Sequence, residues 1–168
     1  MVVGSRAPHK ATAQTLKLLN YYAAEKQTQM KVTVTGLSSS SDLGDNLSFS
    51  MLNVDFAGKV SDKRFDEIMG SCRALVYLSE IEGFGLPILE AYSFNTPVCY
   101  RNTSSPAELL KGLPGGWDGK TQDGFESALS CVLALTVREV AEIQAILSRQ
   151  YDREKIVDRL LAVYMGRS

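Results

Sequence analysis

Ala74-Leu75-Val76-Tyr77-Leu78-Ser79-Glu80-Ile81-Glu82-Gly83-Phe84-Gly85-Leu86-Pro87-Ile88-Leu89-Glu90 is the stretch on which the fold turns. Residues 74–78 form a continuous apolar run, the pattern of a central parallel strand covered on both faces. Glycines punctuate the turn that follows, and Pro87 stands near the first position of a helix running from about 86 to 94. A buried strand feeding straight into a helix is one unit of a β-α-β succession.

The same alternation extends outward. Met1 to Gly4 reads as a strand, Leu16, Leu18, Leu19 and Tyr22 mark a helix over about 10–26, and Met30 to Thr35 reads as a second strand. Residues 37–50 are polar and Ser-rich, without helical period, and read as a long loop. Val54 to Ala57 is a short strand closed by Gly58, and Ser61 can cap a helix to about Arg73. Beyond the central unit come a strand at Pro97 to Tyr100 and a helix opened by Ser105-Pro106-Ala107-Glu108, which has the form of a capping box. Helices over about 122–135, 137–149 and 153–164 follow, the last with Ile156, Leu160 and Tyr164 on one face. The expectation is an α/β chain, a doubly wound Rossmann-like parallel sheet with helices on both faces.

Composition sets the outer bounds. The chain has 168 residues, 45% of them apolar, enough to bury a core as one domain spanning residues 1–168. A net charge of -1 argues against nucleic acid as a partner. Cys72, Cys99 and Cys131 lie far apart with no metal-ligand spacing, and read as buried thiols of a reduced compartment. No apolar run reaches the ~20 residues that cross a bilayer, and no leader pattern opens the chain. The expectation is a cytoplasmic protein without a transmembrane segment. A strand at residue 1 further suggests a chain cut from a longer one, since termini are generally loose.

In doubly wound sheets ligands bind at the carboxyl ends of the strands, which directs attention to the strand-to-helix turns. In the turn after 74–78, Gly83 and Gly85 let a ligand approach the main chain, and no Ser, Thr, Asp or Asn caps the helix. The N–H groups of Gly85, Leu86, Ile88 and Leu89 are then open to an anion, which the helix dipole favours. Glu90, one turn inside, can accept hydrogen bonds from vicinal hydroxyls, and Glu82 can reach what lies beyond the anion. The plain alternative is a tight turn with two solvated glutamates.

Glu82 through Ala91, followed by Thr96-Pro97-Val98, resembles the signature of the family-4 retaining glycosyltransferases of GT-B fold, in which two glutamates separated by seven residues flank a donor diphosphate. The resemblance implies that Glu82 contacts the transferred sugar as the catalytic residue, that Gly83, Phe84, Gly85 and Leu86 hold the diphosphate, and that Glu90 holds the ribose. Gly4-Ser5-Arg6-Ala7-Pro8-His9-Lys10 is similar to the family's basic segment. Lys10 falls on the family's lysine, whereas Arg6 is displaced by one from the usual arginine position, which Ser5 occupies. Both are assigned to the diphosphate by this resemblance. Phe56-Ala57-Gly58-Lys59-Val60-Ser61 is similar to the segment that lies against the nucleobase, which would place Lys59 and Val60 there. Glu108 is explained by the capping box.

The resemblance implies transfer of a hexose from a UDP- or GDP-linked sugar to a glycan or lipid-linked acceptor with retention, as in cell-surface polysaccharide biosynthesis. It covers one half of a GT-B enzyme, the donor-binding domain. The acceptor domain would precede it, would supply any peripheral membrane attachment, and its absence would leave this half inactive alone. No Asp-x-Asp occurs, so no metal or other cofactor is expected: cations and a helix N-terminus would neutralise the leaving diphosphate. A non-catalytic nucleotide-binding or scaffold module of the same fold is the alternative.

Overall fold

A computed structural model describes residues 1–44 and 47–151; the helix expected over 153–164 lies outside them. Among the described residues six parallel strands form one sheet in the order β3-β2-β1-β4-β5-β6, with β1 at Val2–Val3, β2 at Met30–Thr35, β3 at Leu52–Gly58, β4 at Leu75–Tyr77, β5 at Val98–Arg101 and β6 at Gly116–Trp117. The helices are α1 at Thr12–Glu25, α2 at Asp62–Ser71, α3 at Leu86–Ser93, α4 at Ser104–Leu109, α5 at Gln122–Ala134 and α6 at Val137–Gln150. This is the doubly wound arrangement expected.

Alternation along the strands divides the interior into two cores. Val76 and Leu78 face a cluster with Leu16, Leu19, Phe125 and Leu129 from α1 and α5. Leu75 and Tyr77 face the other side, against Ile68, Met69, Ile88, Tyr92, Val140 and Ile143 from α2, α3 and α6. Period-two geometry therefore buries every residue of the 74–78 run, as a two-sided central strand requires.

The strand order reverses between β1 and β4, which pair in register Val2 to Val76. The turns after these two strands are thereby placed side by side at the switch point. Gly36, after β2, closes the same end: it takes φ +86, and a Cβ there would lie 2.4 Å from the Gly4 carbonyl oxygen.

Several local expectations are corrected. The first helix begins at Thr12, because Pro8–Lys10 forms a 3-10 turn that Ala11 ends at φ 51. Within 37–50, Ser40–Leu43 is a second 3-10 turn. β6 went unseen because two residues carry no period. Ser105 does not cap α4: Thr103 is the N-cap, without a side-chain cap bond, and the Ser105 hydroxyl turns elsewhere. Ser61 caps α2 as expected, and Thr136 with Glu139 forms a capping box on α6. Of the cysteines only Cys99 is buried, its thiol pushed up to about 12 by desolvation and then by Cys131; Cys72 is half-buried and Cys131 exposed. Among the described residues, no helix is long and apolar enough to cross a membrane.

Candidate functional site

Lys10 ends the 3-10 turn after β1, and Glu82 lies in the loop after β4. Their side chains meet, Nζ to Oε1 at 2.5 Å, with only 25% and 11% of each exposed. Seventy-two positions separate them in the chain, and the pairing of β1 with β4 brings them together. Tyr77 completes the cluster: the Lys10 ammonium lies 5.8 Å from its ring centroid. Burial by itself raises the Glu82 pKa, but Lys10, then the neighbouring Ser79 and Tyr77 hydroxyls, outweigh it and hold the carboxyl below its ordinary value. The Tyr77 hydroxyl moves the opposite way, raised first by burial and then by Glu82 and Glu90. Both glutamates of the signature thus act on one buried phenol.

The two loops are also laced by main chain. The His9 carbonyl accepts from the Glu80 N–H at 2.7 Å and from the Ser79 hydroxyl at 3.1 Å. The His9 imidazole is exposed.

Glu90 sits one turn inside α3, exposed, next to α2. Its carboxyl is raised, first by desolvation and then by Asp66 and Asp62. A carboxylate facing two others gains from a hydrogen-bond donor, and a sugar diol would supply one.

At the head of α3, Gly85 is the N-cap with φ 89, and no side chain caps the helix. An added Cβ there would come within 3.0 Å of Leu109 Cδ1. Gly83, by contrast, has no positive φ and open space around it, so the conformational argument holds for Gly85 alone. Of the four N–H groups read as open to an anion, that of Ile88 is taken by the Gly85 carbonyl at 2.9 Å. Phe84 and Leu86 are exposed around this helix end, the Phe84 ring meeting Tyr151 edge-on at 5.8 Å.

Arg6 is not in the Lys10–Glu82 cluster. Its guanidinium pairs with Asp42 at 2.6 Å, and its side chain is 73% exposed. Asp42 is held low by the Ser38 N–H, then by Arg6. The pair borders a cleft of about 510 Å³ lined by Ser5, Pro8, Gln14 and Glu80 among others.

Lys59 and Val60 lie in the turn between β3 and α2, Lys59 exposed and Val60 packed against the second core. No hydrogen bond among the described residues engages their main chain. Sequence reasoning missed Tyr77, Ser79 and Ser104. Tyr77 was visible only as the one hydroxyl within an apolar run.

The chain matches the family described as Glycosyl transferases group 1 over residues 1–119. It is 40% identical to the O-antigen chain mannosyltransferase B of Escherichia coli over 57 residues, 34% of this chain and 15% of that protein. The crystal structure of Anabaena HepE (Alr3699) in complex with UDP-glucose superposes with TM-score 0.74 at 21% identity, over 98% of this chain and 48% of that one. The crystal structure of TarM superposes with TM-score 0.75 at 16% identity, over 97% of this chain and 34% of that one. The chain therefore spans less than half the length of each of these relatives.

Proposed function

The chain belongs to the glycosyl transferases group 1 family, of GT-B fold, and from that premise we propose that it is the donor-binding half of a family-4 retaining glycosyltransferase. It serves transfer of a hexose from a UDP- or GDP-linked sugar to a glycan or lipid-linked acceptor in cell-surface polysaccharide assembly on the cytoplasmic side. The acceptor is bound by a second, N-terminal domain, and this half alone transfers nothing. The observation that carries the reading is the meeting of Lys10 and Glu82 at the switch point, beside an uncapped helix N-terminus.

In the reaction, the bond between the anomeric carbon and the β-phosphate oxygen breaks. A new bond forms from the acceptor hydroxyl oxygen to the same face, and the hydroxyl proton passes to the leaving phosphate oxygen. Lys10 and the N–H groups from Gly83 to Leu86, through Phe84 and Gly85, balance the charge gathering on the diphosphate. Glu82, freed from Lys10 as the diphosphate takes the ammonium, accepts from the sugar hydroxyls and stabilises positive charge developing on the ring. Glu90 holds the ribose, and the main chain of Lys59 and Val60 meets the base. Arg6 reaches the diphosphate only by leaving Asp42. No metal is assigned a part.

Calorimetric titration with UDP and GDP tests the site. One of the two should bind, a chelator should leave the affinity unchanged, and Lys10→Ala should weaken it at least about tenfold, as loss of a charge-assisted hydrogen bond implies. Failure of both nucleotides to bind favours the scaffold alternative. Binding indifferent to Lys10→Ala removes the lysine from the phosphate site.

A further inference from the structure

The hydroxyls of the turn after β5 do not bond the N–H groups of their own helix, as a cap would; those of Ser104 and Ser105 reach the main chain of Glu82. The Ser104 hydroxyl accepts from the Glu82 N–H at 3.3 Å and donates to the Glu82 carbonyl at 3.2 Å, so one side chain spans both polar groups of that residue. The Ser105 hydroxyl reaches the same carbonyl at 3.3 Å. Ser104 does this from φ 57, a left-handed backbone that residues other than Gly, Asn and Asp seldom adopt.

The turn is itself anchored from below. Arg101, with 11% of its side chain exposed, bonds Glu80 at 2.5 Å, reaches toward the Gly119 carbonyl at 3.5 Å and lies 5.2 Å from the Trp117 ring centroid. The Thr103 hydroxyl contacts the Glu80 carbonyl at 3.5 Å. The residues two before and at the candidate catalytic position are thus both tied to the end of β5.

We propose that Ser104 is a positioning residue for Glu82. Its hydroxyl fixes the main chain of the glutamate, and so the place from which the carboxylate meets the sugar, at the expense of local backbone strain. Strain of this kind persists where the surroundings enforce it, and here the enforcing contact is with the candidate catalytic residue. The assignment rests on the role given to Glu82 above.

Substituting Ser104 by Gly and by Ala in the full-length transferase separates positioning from folding. Gly suits positive φ and lacks the hydroxyl; Ala keeps the strain and lacks it as well. Turnover is read as release of UDP from UDP-glucose or of GDP from GDP-mannose to water, with Glu82→Gln beside it. The expectation for both Ser104 variants is a kcat lower by about ten- to a hundredfold with KM and nucleotide affinity within about twofold, the scale of a small misplacement. Ser104→Gly should melt at or above the parent temperature. A structural role alone would make activity follow stability, so full turnover in Ser104→Gly, with Glu82→Gln inactive, overturns the proposal and leaves the Glu82 assignment standing. Full turnover in Glu82→Gln overturns both. Ser104→Gly melting below the parent also overturns it, because the hydroxyl would then hold the fold rather than the carboxylate.

Discussion

Glu82 and Lys10 are each other's counter-ion, mostly out of water, so neither can be removed without leaving the other charge poorly solvated. That coupling has a pH signature whose sign follows from the lowered Glu82 pKa. A carboxyl lowered on folding contributes stability that is present above its ordinary pKa, near 4.5, and disappears as pH falls through the lowered value. The stability difference between the parent chain and Glu82→Gln should hold steady near neutrality and narrow as pH drops below that ordinary value; urea midpoints along a pH series measure it. A difference independent of pH would falsify the pairing. Glu90 carries the opposite sign. Its raised carboxyl increasingly opposes folding as pH climbs from its ordinary value, near 4.5, through its raised pKa, so Glu90→Gln should gain on the parent above that ordinary value, whereas the Glu82→Gln difference changes below it. Both glutamates and Lys10 were legible in the sequence because their residue types and spacing declare a charged site. Tyr77 and Ser104 were not, because a phenol in an apolar run and a serine before a helix have commoner explanations in packing and capping.

At the level of elements, the head of α3 and the head of α6 make a contrast. Gly85 caps α3 in a left-handed conformation with Leu109 crowding the space a side chain would fill. Gly85→Ala should cost about 1–3 kcal/mol from strain and displacement together, and nucleotide affinity should fall with it, since the first turn of α3 is re-aimed. Thr136 caps α6 through a reciprocal box with Glu139, whose carboxyl the Thr136 N–H and hydroxyl hold low. Thr136→Ala should cost about 1 kcal/mol with nucleotide affinity unchanged. Denaturant midpoints and calorimetry on the pair read both effects, and a lost affinity in Thr136→Ala would contradict the division. Elements were readable wherever pattern ran long enough, as in α1, α5 and α6. The boundary of α1 was not, because the αL residue Ala11 that separates it from the Pro8–Lys10 turn has no signature in residue type. Ser105 misled for a related reason: its capping pattern was intact, but a tertiary acceptor, the Glu82 carbonyl, took the hydroxyl.

Across the whole molecule the two cores share the same strands, since β4 and β5 send alternate side chains into each. One face cannot come apart while the other stays intact, and unfolding should be a single transition. Trp117, the one tryptophan, is buried at the edge strand β6 and reports the far end of the sheet. Its fluorescence and the far-ultraviolet circular dichroism should therefore change together in urea; separate midpoints would mean the β5–β6 edge opens by itself. Sequence alone determined the strand-helix alternation, the buried central strand and the chemical inventory of the site, because hydrophobic period and residue type are local properties. Tertiary structure alone decided that Lys10 faces Glu82, that Arg6 faces Asp42 instead, and that Ser104 spans the Glu82 main chain. Those pairings depend on which strands lie adjacent and on the exact angle at which each turn leaves its strand, quantities set by packing between segments far apart in the chain.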